Sequence, residues 1–372
     1  MDNLTHSLAG AALAATGLRR TTPLATATLV LAANAPDVDA FVYLFGDSYD
    51  GLAFRRGWTH GPIAMAVLPF VVAAVILGWD RWVRRRRRPD APPARPWPVV
   101  LLALLGGLTH PALDWMNTYG IRLLMPFDRR WFYGDALFII DPWVWLLLGA
   151  TVFLAGAWSV RARIRWVVLA ALATTLVVAT PIPVAAKLTW SAGLAAILTA
   201  RRRIGPPRSE LAARIGQWGT VVATLYILLM VGSDRAARRH VLDAARDAGI
   251  GPVEAVMVAP LPADPFGGEV VIRTPDAYHT GDFRWFRNPQ VQFGAAPLRS
   301  APADDPVVRA AAQIDAVRDF LVWSRFPFYE VTELSDGWRV LIGDARYARD
   351  ERVGGLAGLV VLLDRELREI TE

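Results

Sequence analysis

Three of the five histidines in this chain occupy one local frame, Thr5-His6-Ser7, Thr59-His60-Gly61 and Thr109-His110-Pro111. Imidazole nitrogen is a good ligand for divalent transition metals, and three copies of one frame point to a shared task. Carboxylates accompany them. Asp37 and Asp39 directly follow the helix-breaking Pro36 in Asn34-Ala35-Pro36-Asp37-Val38-Asp39. His110 and Asp114 are four apart, so on a helix both face one way with roughly 5 to 6 Å between their β-carbons. His6, Asp37, Asp39, His60, His110 and Asp114 are therefore the candidate metal ligands. Nitrogen and oxygen donors without sulfur suit zinc first and manganese next. Six candidates exceed the needs of one tetrahedral ion, so the set fits either one ion with outer carboxylates or two ions. The chain has no cysteine, which excludes a thiolate site, a cysteine nucleophile and a disulfide framework.

A metal with an open position acidifies bound water and polarises a carbonyl or phosphoryl oxygen, the two needs of hydrolysis. Arg122 follows the His110/Asp114 stretch and suits pairing with a phosphate or carboxylate. Asp135 and Asp141 are candidates for a proton acceptor or an extra ligand.

These groups must be held by membrane helices. The chain of 372 residues is 54% hydrophobic, with a mean hydropathy of +0.31, too apolar for an ordinary soluble enzyme. Apolar stretches at 8–18, 24–45, 62–79, 99–108, 137–158, 166–181, 185–200 and 217–232 give an expectation of seven or eight membrane helices, given that a span needs ~20 residues. The formal charge of +6 sits in short arginine runs between them and forms no continuous basic face, so nucleic acid is not an expected partner. Arg19-Arg20, Arg81 with Arg84 to Arg88, Arg161, Arg163 and Arg165, and Arg201 to Arg203 with Arg208 mark four loops as cytoplasmic by the positive-inside rule. The alternate ends, with His6, Asp37, Asp39, His60, His110, Asp114, Asp135 and Asp141, then face outward. Arg55-Arg56 and Arg129-Arg130 run against this orientation. Counted from the nearest arginines at ~1.5 Å per residue, the candidate ligands stand roughly 20 to 31 Å above the cytoplasmic face, at one level in the outer half of the bilayer.

Residues 1–233 read as the transmembrane helical domain. No basic n-region precedes the first apolar stretch and arginines follow it, so no cleaved signal peptide is expected. Residues 90–98 form a Pro- and Ala-rich linker. From 234 to 372 the composition turns polar, and β-type runs at 254–258, 269–273, 338–342 and 359–363 with a helical period over 306–321 predict a soluble α+β domain on the non-cytoplasmic side.

Several motifs carry a family resemblance: Met-Asp-x-x-Thr-His at the start, Asn-Ala-Pro-Asp-Val-Asp at 34–39, Arg-Gly-Trp-Thr-His-Gly at 56–61, Thr-His-Pro-Ala-Leu-Asp-Trp-Met-Asn-Thr-Tyr-Gly at 109–120 and Phe-Ile-Ile-Asp-Pro-Trp at 138–143. In this order they resemble the YdjM-like membrane-bound metal-dependent hydrolases, also described as LexA-binding, inner-membrane-associated hydrolases. The resemblance implies an inner-membrane location and metal-dependent hydrolysis. The His/Asp order is also similar to that of zinc-dependent phospholipase C and the P1-type nucleases, which implies ligand roles for His6, Asp37 or Asp39, His60, His110 and Asp114. Their remaining ligands have no counterpart here, because His240 and His279 fall in the polar tail. Trp323-Ser324-Arg325-Phe326-Pro327 and Gly343-Asp344-Ala345-Arg346 are similar to the tails of longer members.

The expected activity is thus hydrolysis of an ester or phosphoester, a phospholipid-like one first, with membrane lipid as the partner. An ion- or proton-coupled transporter is the alternative, and a non-enzymatic membrane scaffold or regulatory protein the third. The bland reading for each histidine is a helix-end contact with a neighbouring carbonyl, and for Arg122 and Asp141 a structural ion pair. Against the transporter, the ionisable groups gather at one end of the helices and do not continue across.

Overall fold

The computed structural model describes residues 1–46, 48–156, 158–348 and 355–370. It groups into two compact units, one of Met1–Val38, Arg56–Asp234 and Pro260–Pro265, the other of Asp39–Arg55, Arg235–Ala259 and Phe266–Glu372.

Helix starts in the first unit follow local chemistry. In α1 (Asn3–Ala15) the Asp2 carboxylate caps by accepting from Thr5 N, which satisfies an amide that has no partner inside the helix. Helix α2 (Ala25–Asn34) tightens at Pro36 into a 3-10 stretch, Ala35–Leu44, and α3 (Ser48–Phe54) follows within the second unit. Helix α4 (Pro62–Trp79) runs through a π turn, Asp80–Arg84, into the last turn α5 (Arg85–Arg87). Helices α6 (Pro96–Trp115) and α7 (Pro142–Ala155) both begin on proline, whose missing N–H costs nothing at the first helical position. Helices α8 (Val160–Ala179), α9 (Val184–Ile204) and α10 (Ser209–Asp247) complete the set.

Among the described residues, five helices are long and apolar enough to cross a membrane: Ala25–Leu44, Pro62–Arg87, Pro96–Trp115, Val160–Ala179 and Ser209–Asp247. This falls short of the seven or eight expected. Helix α1 has 13 residues and α7 has 14, both short for a ~30 Å core, while α9 carries Lys187 and Arg201 to Arg203. The spans expose apolar side chains such as Phe70, Val75, Leu172, Leu225 and Leu229, as lipid-facing surfaces do.

Helices α1, α2 and α6 pack backbone to backbone. Gly10 in α1 and Gly106 in α6 each approach the Leu29 carbonyl of α2, so that an added Cβ would stand 2.7 Å from it. Each glycine is four residues from a candidate ligand, Gly10 from His6 and Gly106 from His110. The close packing one turn away holds those ligands on converging helices.

The second unit holds a sheet in the order β1 (Ala255–Leu261), β2 (Asp264–Arg273), β3 (Ala277–Arg284), β4 (Val291–Phe293), with β5 (Leu298–Arg299) pairing on β3. The helices α11 (Pro306–Ala311) and α12 (Asp315–Trp323) are separated at Ile314, whose backbone is extended (φ −69°, ψ 135°), so the single predicted helix is two. An antiparallel sheet of β6 (Pro327–Glu333), β7 (Gly337–Asp344) and β8 (Gly358–Asp364) follows. Helix α3 packs on α12, with Tyr49 edge-on to Phe320 and its hydroxyl donating to Gly358 O at 3.4 Å.

Candidate metal centre

Four separate stretches of the first unit deliver side chains to one buried place. His6 lies in the first turn of α1, Asp37 in the 3-10 stretch after α2, His60 in the turn before α4, and His110 and Asp114 on one face of α6. The turn before α4 is seated by Gly61, where a Cβ would collide with the Met125 carbonyl. His6, His60, His110 and Asp114 are all at most 1% exposed.

Asp37, His60, His110 and Asp114 each offer a ligand atom, and these atoms lie within 4.8 Å of one another. His60 Nε2 and His110 Nε2 face each other at 3.0 Å. Asp114 Oδ2 is 3.5 Å from both of these nitrogens, and Asp37 Oδ1 is 3.8 Å from His110 Nε2. The His6 ring stacks on that of His110 with centroids 3.9 Å apart, and its Nε2 stands 3.3 Å from Asp114 Oδ1. Asp37 is oriented by Asn3, whose Nδ2 donates to Asp37 Oδ2 at 3.0 Å.

Hydrogen bonding at the far side of the rings sets what they present to the centre. His110 Nδ1 is 2.7 Å from Ala33 O. A carbonyl only accepts, so Nδ1 carries the proton and, in the neutral ring, Nε2 keeps its lone pair toward Asp37, His60 and Asp114. His60 Nδ1 contacts Thr59 Oγ1 at 2.9 Å. Both ring nitrogens of His6 and Asp114 Oδ2 are buried without a hydrogen-bond partner. Buried polar atoms are nearly always satisfied, and a convergent group that is not calls for an explanation, among which are strain, a catalytic role and an ion or water site. The donor set therefore fits a divalent cation: His110 Nε2 with its lone pair inward, His60 Nε2 beside it, carboxylates next to both, and no sulfur.

The three Thr-His frames do different local work. Thr5 Oγ1 donates to the Asp2 cap (2.6 Å), Thr59 Oγ1 touches the His60 ring, and Thr109 Oγ1 back-bonds to Gly106 O at 2.7 Å.

The remaining predicted residues have other partners. Asp39 pairs with Arg55 (3.3 Å) and is absent from the four-residue group. Asp141 caps α7, accepting from Trp143 N and Val144 N, and also accepts from the Tyr226 hydroxyl at 3.1 Å. Asp135 is buried at a left-handed backbone position (φ 50°). Arg122 is 4% exposed, its guanidinium 4.9 Å from the Trp131 ring centre and pressed against Gly57, and its backbone N donates to Arg56 O at 2.9 Å.

Sequence reasoning assigned no role to Arg56 or Asn117, although both stand inside the quoted motifs. Arg56 Nε lies 3.1 Å from Asp114 Oδ2, its Nη1 donates to Asn117 Oδ1 (2.9 Å), and its guanidinium packs on the Tyr119 ring. The Met1 ammonium pairs with Asp114 Oδ1. Arg56 was visible as a charge where the orientation rule wants none, and its burial beside Asp114 accounts for it.

The YdjM inner membrane protein family matches residues 1–186, which include every residue of this centre. No curated protein and no solved structure matches the chain. With half of its length matched and all the motif residues inside the match, the chain belongs to the YdjM inner membrane protein family.

Proposed function

We propose that this protein is a membrane-embedded, metal-dependent hydrolase of an ester or phosphoester, a phospholipid-like one first, with the centre and the second unit on the non-cytoplasmic side. The observation that carries the reading is the buried convergence of His60 Nε2, His110 Nε2, Asp37 and Asp114 beside the unsatisfied ring of His6. Asp37, His60, His110 and Asp114 would hold the ion, zinc first and manganese second, and His6 extends the donor set toward a second ion. A divalent ion bound there supplies Lewis acidity, acidifying water and polarising a phosphoryl or carbonyl oxygen.

The chain's own residues do the rest. Ala33 O and Thr59 fix the His110 and His60 rings, Asn3 fixes Asp37, and Arg56 holds Asp114 in place, so the donors are set before any ligand arrives. Arg122, stacked on Trp131 beside Gly57, offers a planar fork to a phosphate. Asp135 is the candidate proton acceptor, whereas the cap and Tyr226 bonds of Asp141 give that carboxylate a structural task.

Purified protein loaded with zinc or manganese in mixed micelles of phosphatidylglycerol and of simple phosphodiesters and esters tests the reading. Product release above that of a His60→Ala/His110→Ala variant is the expected result. Equal, background release by both across these substrates would overturn it.

A further inference from the structure

Two phenylalanines of the second unit are exposed together. Phe266 in β2 is 53% exposed, Phe286 in the turn after β3 is 85% exposed, and their rings are 5.2 Å apart. Single exposed apolar residues are ordinary, but paired aromatic rings at one edge of a polar domain mark a contact surface. The backbone sets the pairing, since Trp285 N donates to Phe266 O at 2.9 Å and Gly267 stands opposite Arg284 in the β2–β3 ladder. Arg287 follows Phe286 in the chain, its Nη2 donating to Asp282 O at 2.7 Å and Gln290 O at 3.3 Å and its Nε to Pro289 O at 3.3 Å, while the Arg284 guanidinium lies against Gly267, next to Phe266.

The chain itself indicates what meets this edge. Phe266 is three residues from Ala263 in the β1–β2 turn, and residues 260–265 belong to the membrane unit. Ala263 O accepts from the Trp143 indole at 3.3 Å. Trp143 is in the first turn of the apolar helix α7, where indole rings mark the membrane–water boundary. Three residues of extended chain reach only about 10 Å, which keeps Phe266 close to that boundary.

We infer that Phe266 and Phe286 form a wedge entering the interfacial layer of the bilayer, with an anionic phospholipid surface as its partner. The phenyl rings take the acyl boundary, and the positive charge that Arg284 and Arg287 hold beside them favours an anionic surface.

The chain has no native cysteine, so single-cysteine variants can be spin-labelled without background. Phe286→Cys, Phe266→Cys and, as a control in the β6–β7 turn, Ser335→Cys are made in the full chain and reconstituted into vesicles of phosphatidylglycerol and phosphatidylethanolamine. Collision rates with oxygen, which concentrates in lipid, and with a water-soluble nickel chelate are then compared. The wedge requires an oxygen-to-nickel ratio at 266 and 286 severalfold above that at 335. A ratio equal to that at 335 places the rings in water, and shielding from both reagents places them against protein, such as a second copy. Either result overturns the proposal.

Discussion

Among the described residues, Asp114 and Asp344 are both 0% exposed, and they live in opposite circumstances. Asp344, at the end of β7, has all its capacity used. Its Oδ1 accepts from Arg346 N (3.0 Å) and Nε (2.9 Å), and its Oδ2 from Ser324 Oγ, Arg325 N and Arg346 Nη2 at 2.7, 2.8 and 2.9 Å. Asp114 is ion-paired through Oδ2 with Arg56 and through Oδ1 with the Met1 ammonium, and it stands beside three imidazoles, yet its Oδ2 has no well-directed hydrogen bond and both nitrogens of His6 have none. The first is a closed staple, pinning the Trp323-Ser324-Arg325-Phe326 turn to the last strands of its sheet. The second is open inward. Burial alone does not separate structure from function; the state of the hydrogen-bond account does.

This contrast is sharpest under mutation. Asp344→Ala leaves Arg346 buried without its partner, so the second unit should lose about 3–5 kcal/mol in chemical denaturation followed by near-UV circular dichroism, with metal content unchanged. Unchanged stability would show that the staple is incidental. Gly106→Ala drives a methyl into Leu29 O and should cost about 1–3 kcal/mol in detergent. It should also weaken metal binding, because His110 rides one turn along the same helix; intact affinity would show that this packing does not set the ligand geometry. Thr59→Val removes the contact to His60 Nδ1 and should cost about tenfold in zinc affinity by competitive chelator titration, with stability nearly unchanged.

Acid separates the two units as well. Burial alone would raise the Asp344 carboxyl, but Arg346 and the hydrogen bonds from Arg346 and Ser324 hold it below the usual carboxylate range. A carboxylate with a depressed folded pKa contributes stability above its unfolded pKa of about 3.9, and that contribution is lost as pH falls through the folded value. The second unit should therefore hold its share of stability down to about pH 4 and lose it below, while Asp344→Asn, less stable at neutral pH, shows a flatter acid profile. An identical profile in both would remove Asp344 from the acid response.

Much of the centre was legible in the sequence because its ligands stand in short, repeated frames at helix ends. The i,i+4 spacing of His110 and Asp114 and the Pro36 break before Asp37 are local signals, and local signals survive in one dimension. The partners that orient them are not local: Arg56 reaches Asp114 across 58 residues, and Asn3 reaches Asp37 across 34. The difference between Asp37 and Asp39 depends on where a 3-10 turn sends each carboxylate, one toward His110 and one to Arg55. In the tail, the run 338–342 was legible as a strand by alternation, whereas the break at Ile314 left the helical period on both sides undisturbed. The expected helix count is larger than the five long apolar helices among the described residues where apolar composition continues past the helix ends, as in 137–158 against Pro142–Ala155.

Arg55-Arg56 and Arg129-Arg130 were the charges that ran against the inferred orientation. Arg55 and Arg56 are matched by Asp39 and Asp114, and Arg130 by Asp128 at 2.6 Å. Each of these pairs is also smaller than the run at Arg84 to Arg88, and the orientation rule counts Lys and Arg rather than net charge.

The most direct test is elemental analysis of detergent-purified protein beside the His60→Ala/His110→Ala variant, counting metal atoms per chain. A metal centre predicts at least one zinc or manganese per wild-type chain, lost in a variant that still folds. No metal in either protein, even after incubation with both ions and removal of the excess, would contradict it and leave the cluster as a buried polar network.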